Sequence, residues 1–338
     1  MYKVKFTPYR KELGEIMPRQ TAHHSCVSSD GKYKFYINED VDDPDFWVVQ
    51  GKGIRQPETC HVAPENTIFL STEPRSVLMY PQKYLRQFGL VCTCQARTKH
   101  PNLHLAPAVL PWLVGCTEDK EGKCHFTIDY DMLKDATAPA KTKLISVITS
   151  NKAFTGGHVE RIEFVKKLKE HYGDKIDVFG RGCNEFDDKW DVLAPYKYHI
   201  AIENSSHDYY WSEKISDCYL TETFPIYYGC TNIGDYFPHD AYCSIDIHHF
   251  DEAVKIIDRC IANDIYEQRK QALAESKELV LEKYNMFNYI ASLCDTLNPD
   301  SPKQDITLIP CVTIGNWHNF YNYTFKRSYY KIKQKFIQ

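Results

Sequence analysis

Residues 203–214 carry an unusual density of reactive side chains. Glu203-Asn204-Ser205 is followed by Tyr210 and then by Ser212-Glu213-Lys214. Within a dozen positions the chain offers carboxylates, an amide, hydroxyls and a cation. Such a set can hydrogen-bond a polar ligand and neutralise an anion. Three further positions belong with it. Ser150-Asn151 are small polar residues closing an apolar run, and Arg161 opens a helical pattern in what reads as its first turn. A cation there is disfavoured by the helix dipole, so its use beside a bound anion is one reading and a solvated arginine the other. Glu73 follows the apolar run 66–71 and precedes Pro74. It fits a solvated turn residue or a catalytic base.

The elements that position these residues can be read from periodicity. Tyr198–Ile202 is a short apolar run bounded by polar residues, the pattern of a buried strand. Ser212 opens a helical stretch with Ile215, Cys218, Tyr219 and Thr223 on one face, and Phe224–Gly229 reads as the next strand. Strand, polar loop, helix and strand make one βαβ unit, whose ligands sit at the carboxyl ends of the strands. Upstream, 143–151 reads as a strand, Val159–Tyr172 as an amphipathic helix and 175–180 as another strand. Buried strands are also expected at 33–37, 46–49, 66–71 and 90–94. Asp251 is read as the cap of a helix-rich region that extends to Cys294. The polar stretch 117–142 reads as a linker between two α/β halves. Asp129-Tyr130-Asp131 within it has the form of a D-x-D metal motif, but no convincing buried strand leads into it.

Composition narrows the function classes. The 338 residues are 43% hydrophobic and 25% charged, with a net charge of −4, which argues against a nucleic-acid protein. The start, Met1–Phe6, has no apolar core of signal-peptide length, and no stretch approaches the ~20 apolar residues of a membrane span. The 13 cysteines are scattered and include no C-x-x-C pair, as in a cytosolic protein with reduced thiols and no zinc site. From Trp317 to Phe336 aromatic and basic residues alternate. That pattern fits an amphipathic segment on the inner face of a membrane and equally a terminal helix docking on the core.

Taken together, Glu203-Asn204-Ser205, Tyr210, Ser212-Glu213-Lys214 and the strand Phe224-Pro225-Ile226-Tyr227-Tyr228-Gly229 resemble the signature of the alpha-1,3-fucosyltransferases, glycosyltransferase family 10. Ser212 stands where the family usually has Thr, and Trp211 where it has an aliphatic residue. Ser150-Asn151 with Arg161, and Val178-Phe179-Gly180-Arg181-Gly182, also fit. The resemblance is good over 143–250 and fades over the first 140 residues. It implies an α/β fold of two Rossmann-like domains facing a cleft (GT-B type), divided here as 1–140, 141–300 and a tail at 301–338. It implies an inverting transfer of L-fucose from GDP-fucose to a glycan acceptor containing N-acetylglucosamine, as in lipopolysaccharide O-chains, without a metal. By the same resemblance Arg161 and Lys214 take the diphosphate and Glu213 the fucose. Ser150, Asn151, Asn204 and Tyr210 line the donor site, and Glu73 is the base. Glu203 becomes a structural residue. The same scaffold with another nucleotide-sugar, or a non-catalytic glycan-binding protein, are the competing readings.

Overall fold

A computed structural model describes residues 1–108, 110–150, 155–314 and 328–329. Asn151 of the expected donor site and nearly all of the aromatic and basic tail lie outside the described residues. The chain divides into two compact units. Among the described residues, the first takes those within 1–111, 116–135 and 282–314, and the second those within 112–115 and 136–281 together with 328–329.

In chain order the first unit contains β1 (Tyr2–Thr7), α1 (Lys11–Ile16), β2 (Tyr33–Ile37), β3 (Phe46–Gln50), β4 (Glu58–Val62), β5 (Thr67–Leu70), α2 (Gln82–Leu85), β6 (Leu90–Thr93) and β7 (Leu103–Leu105). The hairpin β8 (Cys116–Glu118) and β9 (Cys124–Phe126) and the helix α3 (Tyr130–Asp135) follow. Its main sheet is parallel, in the order β2-β1-β3-β5-β6-β7. β3, β5 and β6 are buried at every position, as strands covered on both faces must be. The expected linker 117–142 is therefore built structure over much of its length. Its D-x-D residues serve that structure. Asp129 accepts hydrogen bonds from the Met132 amide and pairs with the His24 ring, both at 2.9 Å, and Asp131 accepts from the His23 amide at 2.7 Å. Among the described residues no cluster of three or more His, Cys, Asp or Glu is placed to hold a metal ion.

The second unit contains β10 (Lys143–Ile148), α4 (Gly156–Tyr172), β11 (Asp177–Phe179), α5 (Lys189–Leu193), β12 (Tyr196–Ile202), α6 (Glu213–Leu220), β13 (Phe224–Tyr228) and β14 (Cys243–Ser244), then helices α7 (Phe250–Ala262), α8 (Ile265–Gln268) and α9 (Lys270–Leu281). Its sheet is again parallel, in the order β11-β10-β12-β13-β14. β12 is the centre, and all of it except Lys197 is buried. Pro225 lies within β13 but ahead of its pairing with β14, which engages only Ile226 and Tyr227. Its missing N–H is tolerated at such a margin. Asp251 lies in the first turn of α7, whose N-cap is His249.

The chain then returns to the first unit. α10 (Met286–Cys294) sets Phe287 edge-on against Phe35 of β2, with ring centroids 5.0 Å apart. β15 (Gln304–Leu308) pairs antiparallel with β4 along its whole length. Residues 282–308 thus complete the first unit, where the sequence pattern had divided them between the second domain and a tail. The reason is tertiary: α10 is apolar enough to serve either core, and only its partners decide. No described helix is long and apolar enough to cross a membrane.

Candidate donor site

The loop after β12 and the first turns of α4 and α6 meet at the carboxyl end of the second sheet. Two glycines record how closely. A Cβ on Gly157, in the first turn of α4, would fall 2.2 Å from the Asn204 carbonyl oxygen. A Cβ on Gly229, at the end of β13, would fall 2.5 Å from Cγ of Glu203. Neither position has room for a side chain.

Glu203 is fully buried. Its carboxylate accepts from the Ser212 amide at 2.9 Å, from Ser212 Oγ at 2.7 Å and from Lys214 Nζ at 3.0 Å. Ser212 is in turn the N-cap of α6, its hydroxyl accepting from the Lys214 amide. One buried carboxylate therefore fixes both the cap and the lysine, which is the structural role expected for it. Lys214 Nζ also lies 3.5 Å from Glu213 Oε1. Burial opposes its charge, but Glu203 and Glu213 outweigh burial and hold the ammonium above the usual lysine range.

Arg161 is the sixth residue of α4 rather than a first-turn residue, because the helix begins at Gly156. It shares the buried face with Val159, Phe164, Val165 and Leu168, and is only 6% exposed. Nη2 donates to Ser150 Oγ at 3.2 Å, while Nε has no hydrogen-bond partner among the described residues. Burial lowers its pKa, opposed by the charges of Glu203, Tyr210 and Glu213. It also repels the Lys214 charge, so the two cations are near neighbours. A buried guanidinium with an orphan donor is costly unless an anion arrives. Tyr210 is buried and donates to Asn204 Oδ1 at 2.7 Å, with the His207 ring stacked on it at 5.3 Å.

Two charged residues of this frame escaped the sequence reading. Lys189 of α5 reaches Asp217 at 2.7 Å and Glu213 at 3.6 Å, and Asp217 also accepts from the Leu113 and Val114 amides. Burial would raise the Glu213 pKa, but Lys214 and Lys189 overcome it and push the carboxyl down to about 2. Glu213 is therefore a permanent anion, suited to facing positive charge and unsuited to taking a proton at neutral pH. The available signal was Asp217 itself, a carboxylate on the apolar face of α6 between Ile215 and Cys218. Thr223, expected on that face, lies beyond the helix end at Leu220.

Beside Ser150 a crevice of about 260 Å³ opens at the ends of β10 and β11, lined by Ile148, Thr149, Ser150, Gly180, Arg181, Glu185 and Phe186. One aromatic side chain stands there among polar groups. Structure thus assembles Ser150, Arg161, Asn204, Tyr210, Glu213 and Lys214 in one unit. Glu73 belongs to the other, three residues past β5. Its carbonyl accepts from Gln95 Nε2 at 2.9 Å, which pins the loop that carries it.

Residues 138–304 match the family described as glycosyltransferase family 10 (fucosyltransferase), C-terminal part. This stretch is a glycosyltransferase family 10 domain. Over 164 residues, 48% of the chain and 28% of the relative, it is 34% identical to an alpha-(1,3)-fucosyltransferase of Helicobacter pylori. Over 112 residues, 32% of the chain and 30% of the relative, it is 30% identical to a human 4-galactosyl-N-acetylglucosaminide 3-alpha-L-fucosyltransferase. The matched stretch thus spans less than a third of each of these curated relatives. A crystal structure of an alpha1,3-fucosyltransferase with GDP aligns over 87% of this chain and 90% of that one, with a TM-score of 0.50 and 16% identity. At that identity the likeness is one of fold. The two units make an α/β protein of GT-B type, each built on a parallel sheet.

Proposed function

We propose that the chain is an inverting fucosyltransferase that moves L-fucose from GDP-fucose to a hydroxyl of an N-acetylglucosamine-containing glycan, with an alpha-1,3 linkage. The observation that carries this reading is the closeness of buried Arg161 to Lys214 and an anionic Glu213, next to the crevice at Ser150. In the reaction the acceptor oxygen attacks C1 of fucose and the bond from C1 to the diphosphate oxygen breaks. GDP leaves with the bonding electrons. Arg161 forks onto the phosphate oxygens and Lys214 supplies a compact charge, stabilising the leaving group as it develops. Glu213, ionised throughout, faces the positive charge that builds on the sugar ring. Ser150, Asn151, Asn204 and Tyr210 line the donor. Glu73 takes the acceptor proton, and its place on a loop at the end of a parallel strand supports that role.

The two cations do the work that a metal does in other transferases, so chelation with EDTA is expected to leave turnover unchanged. Lipopolysaccharide O-chains are the acceptor class we favour, reached at the inner face of a membrane through residues 317–338. Vesicle flotation with and without those residues tests that contact. The deciding experiment offers a panel of nucleotide-sugars to the protein with a glycan array, and reads the product linkage by NMR. Transfer from a different donor overturns the fucose assignment. A protein that neither transfers nor hydrolyses GDP-fucose is a glycan-binding protein on this scaffold.

A further inference from the structure

In the sheet of the first unit β1 lies between β2 and β3. The chain leaves β1 to one side for β2 and comes back on the other for β3. The strand order reverses there, and parallel α/β sheets leave a ligand crevice at their carboxyl ends at such a point. A cavity of about 340 Å³ occupies this position, lined from the ends of β1 and β2 and from the segment joining β3 to β4. That is the lower end of the ~300–1,000 Å³ typical of ligand sites.

The floor of the cavity is Lys5. It is 5% exposed, its Nζ lies 5.6 Å from the centre of the Trp47 ring, and it pairs with Glu58 at 2.8 Å. Burial opposes the charge, but Glu58 outweighs it and keeps the ammonium above its usual range. Lys5 is buried while Glu58 is about one-third exposed, so the pair lies at the inner wall of the crevice with its carboxylate open to solvent. Above it, Asp40 reaches Lys5 at 3.5 Å from a fully exposed position. Arg55 Nη2 is anchored on the Tyr9 carbonyl at 3.1 Å. Asn38 is held in the left-handed region at φ 58°, with its amide on the Lys11 carbonyl at 3.3 Å. Asparagine visits that region readily, and the hydrogen bond fixes the side chain at the rim of the crevice.

The charges of the lining balance. Lys5, Lys11 and Arg55 stand against Glu39, Asp40 and Glu58. Such a lining has no net charge to draw in an anion or a cation, but it presents a dense mixture of hydrogen-bond donors and acceptors. Hydroxyl groups, each able both to donate and to accept, are its chemical complement. We propose that this crevice holds a neutral pyranose unit of the glycan acceptor, with Asn38, Asp40 and Arg55 reading its hydroxyls. β5, which leads into Glu73, is next to β3, so the crevice and that carboxylate share one edge of one sheet. Only the word acceptor rests on the transferase reading; the match to a neutral sugar rests on the crevice.

The test uses the full chain with Asp40→Ala and Arg55→Ala, both at exposed positions where folding is unaffected, and circular dichroism verifies this. Calorimetry measures binding of N-acetyllactosamine, with and without saturating GDP, and a sialylated form and inorganic phosphate serve as anionic probes. Wild type binds the neutral disaccharide, and each variant weakens it at least about fivefold, the value of one lost hydrogen bond. Acceptor KM rises by the same factor while GDP affinity stays put. Unchanged disaccharide affinity in both variants overturns the proposal, as does a wild type that takes only the anionic probes or no sugar. Loss of disaccharide binding in the variants of a protein that does not use GDP-fucose leaves the crevice standing and removes the transferase reading. Hydrolysis of GDP-fucose with an unaltered acceptor KM in both variants does the reverse.

Discussion

Lys189→Met probes whether the donor site is held electrostatically. The lysine side chain is 18% exposed and spans Asp217 at 2.7 Å and Glu213 at 3.6 Å, while Asp217 is 1% exposed. Removing one partner of a buried pair strands the other, at a cost of about 3–5 kcal/mol. With a urea slope of about 2–3 kcal/mol/M, the midpoint falls by roughly 1–2 M. Asp217→Asn costs less, since Lys189 keeps Glu213. The double variant costs less than the sum of the two, with a coupling of about 1.5–3 kcal/mol. A second readout concerns pH. The Glu213 pKa is depressed in the folded state, so its contribution is present above the unfolded value of about 4.3 and is lost as pH falls toward about 2. Without Lys189 the folded pKa rises, and that acid-sensitive contribution shrinks. Urea curves at pH 7 and pH 3.5 for the four proteins carry the whole test. A Lys189→Met cost below about 1 kcal/mol, with no coupling to Asp217, refutes the reasoning.

Three further outcomes follow from the geometry. Arg161→Ala and Lys214→Ala each weaken GDP binding by about tenfold or more, the value of a charge-assisted hydrogen bond, and calorimetry that finds both unchanged removes the phosphate assignment. Glu73→Gln keeps donor affinity and loses about 10²–10⁴-fold in single-turnover transfer, so a fully active variant moves the base to another carboxylate. Gly157→Ala drives a methyl into the Asn204 carbonyl and destabilises the fold by roughly 1–3 kcal/mol in thermal or urea melts; a neutral effect means the helix and loop can part without penalty.

The parallel strands were legible because burial on both faces leaves uninterrupted apolar runs, as in Phe46–Val49 and Ile68–Leu70. β1 escaped notice for the opposite reason. Lys3 and Lys5 interrupt Tyr2–Thr7, and nothing local says that Lys5 is buried against Trp47 and Glu58. β4 and β15 are separated by some 240 residues, so their pairing leaves no local trace. In the donor site the residues on one βαβ unit could be read as a group, since strand, cap and helix set their spacing. Arg161 was placed one turn too early because Gly156 and Gly157 read as loop, although their small size is what lets α4 start against Asn204. Lys189 lies on a separate short helix, and its link to Asp217 exists only in three dimensions.

The return of β15 to β4 has a consequence for how the protein is made. The second unit is nearly continuous, from Ala136 to Leu281, and is inserted in the chain of the first. During synthesis its main segment, Ala136–Leu281, emerges while the first unit still lacks α10 and β15. The first unit, begun before the second, is thus completed after it, and until then the β4 edge and the Phe35 face of β2 wait uncovered. A pause before residue 308 would lengthen the life of an open strand edge, so the hazard of misassembly falls in the interval between the synthesis of β4 and that of β15.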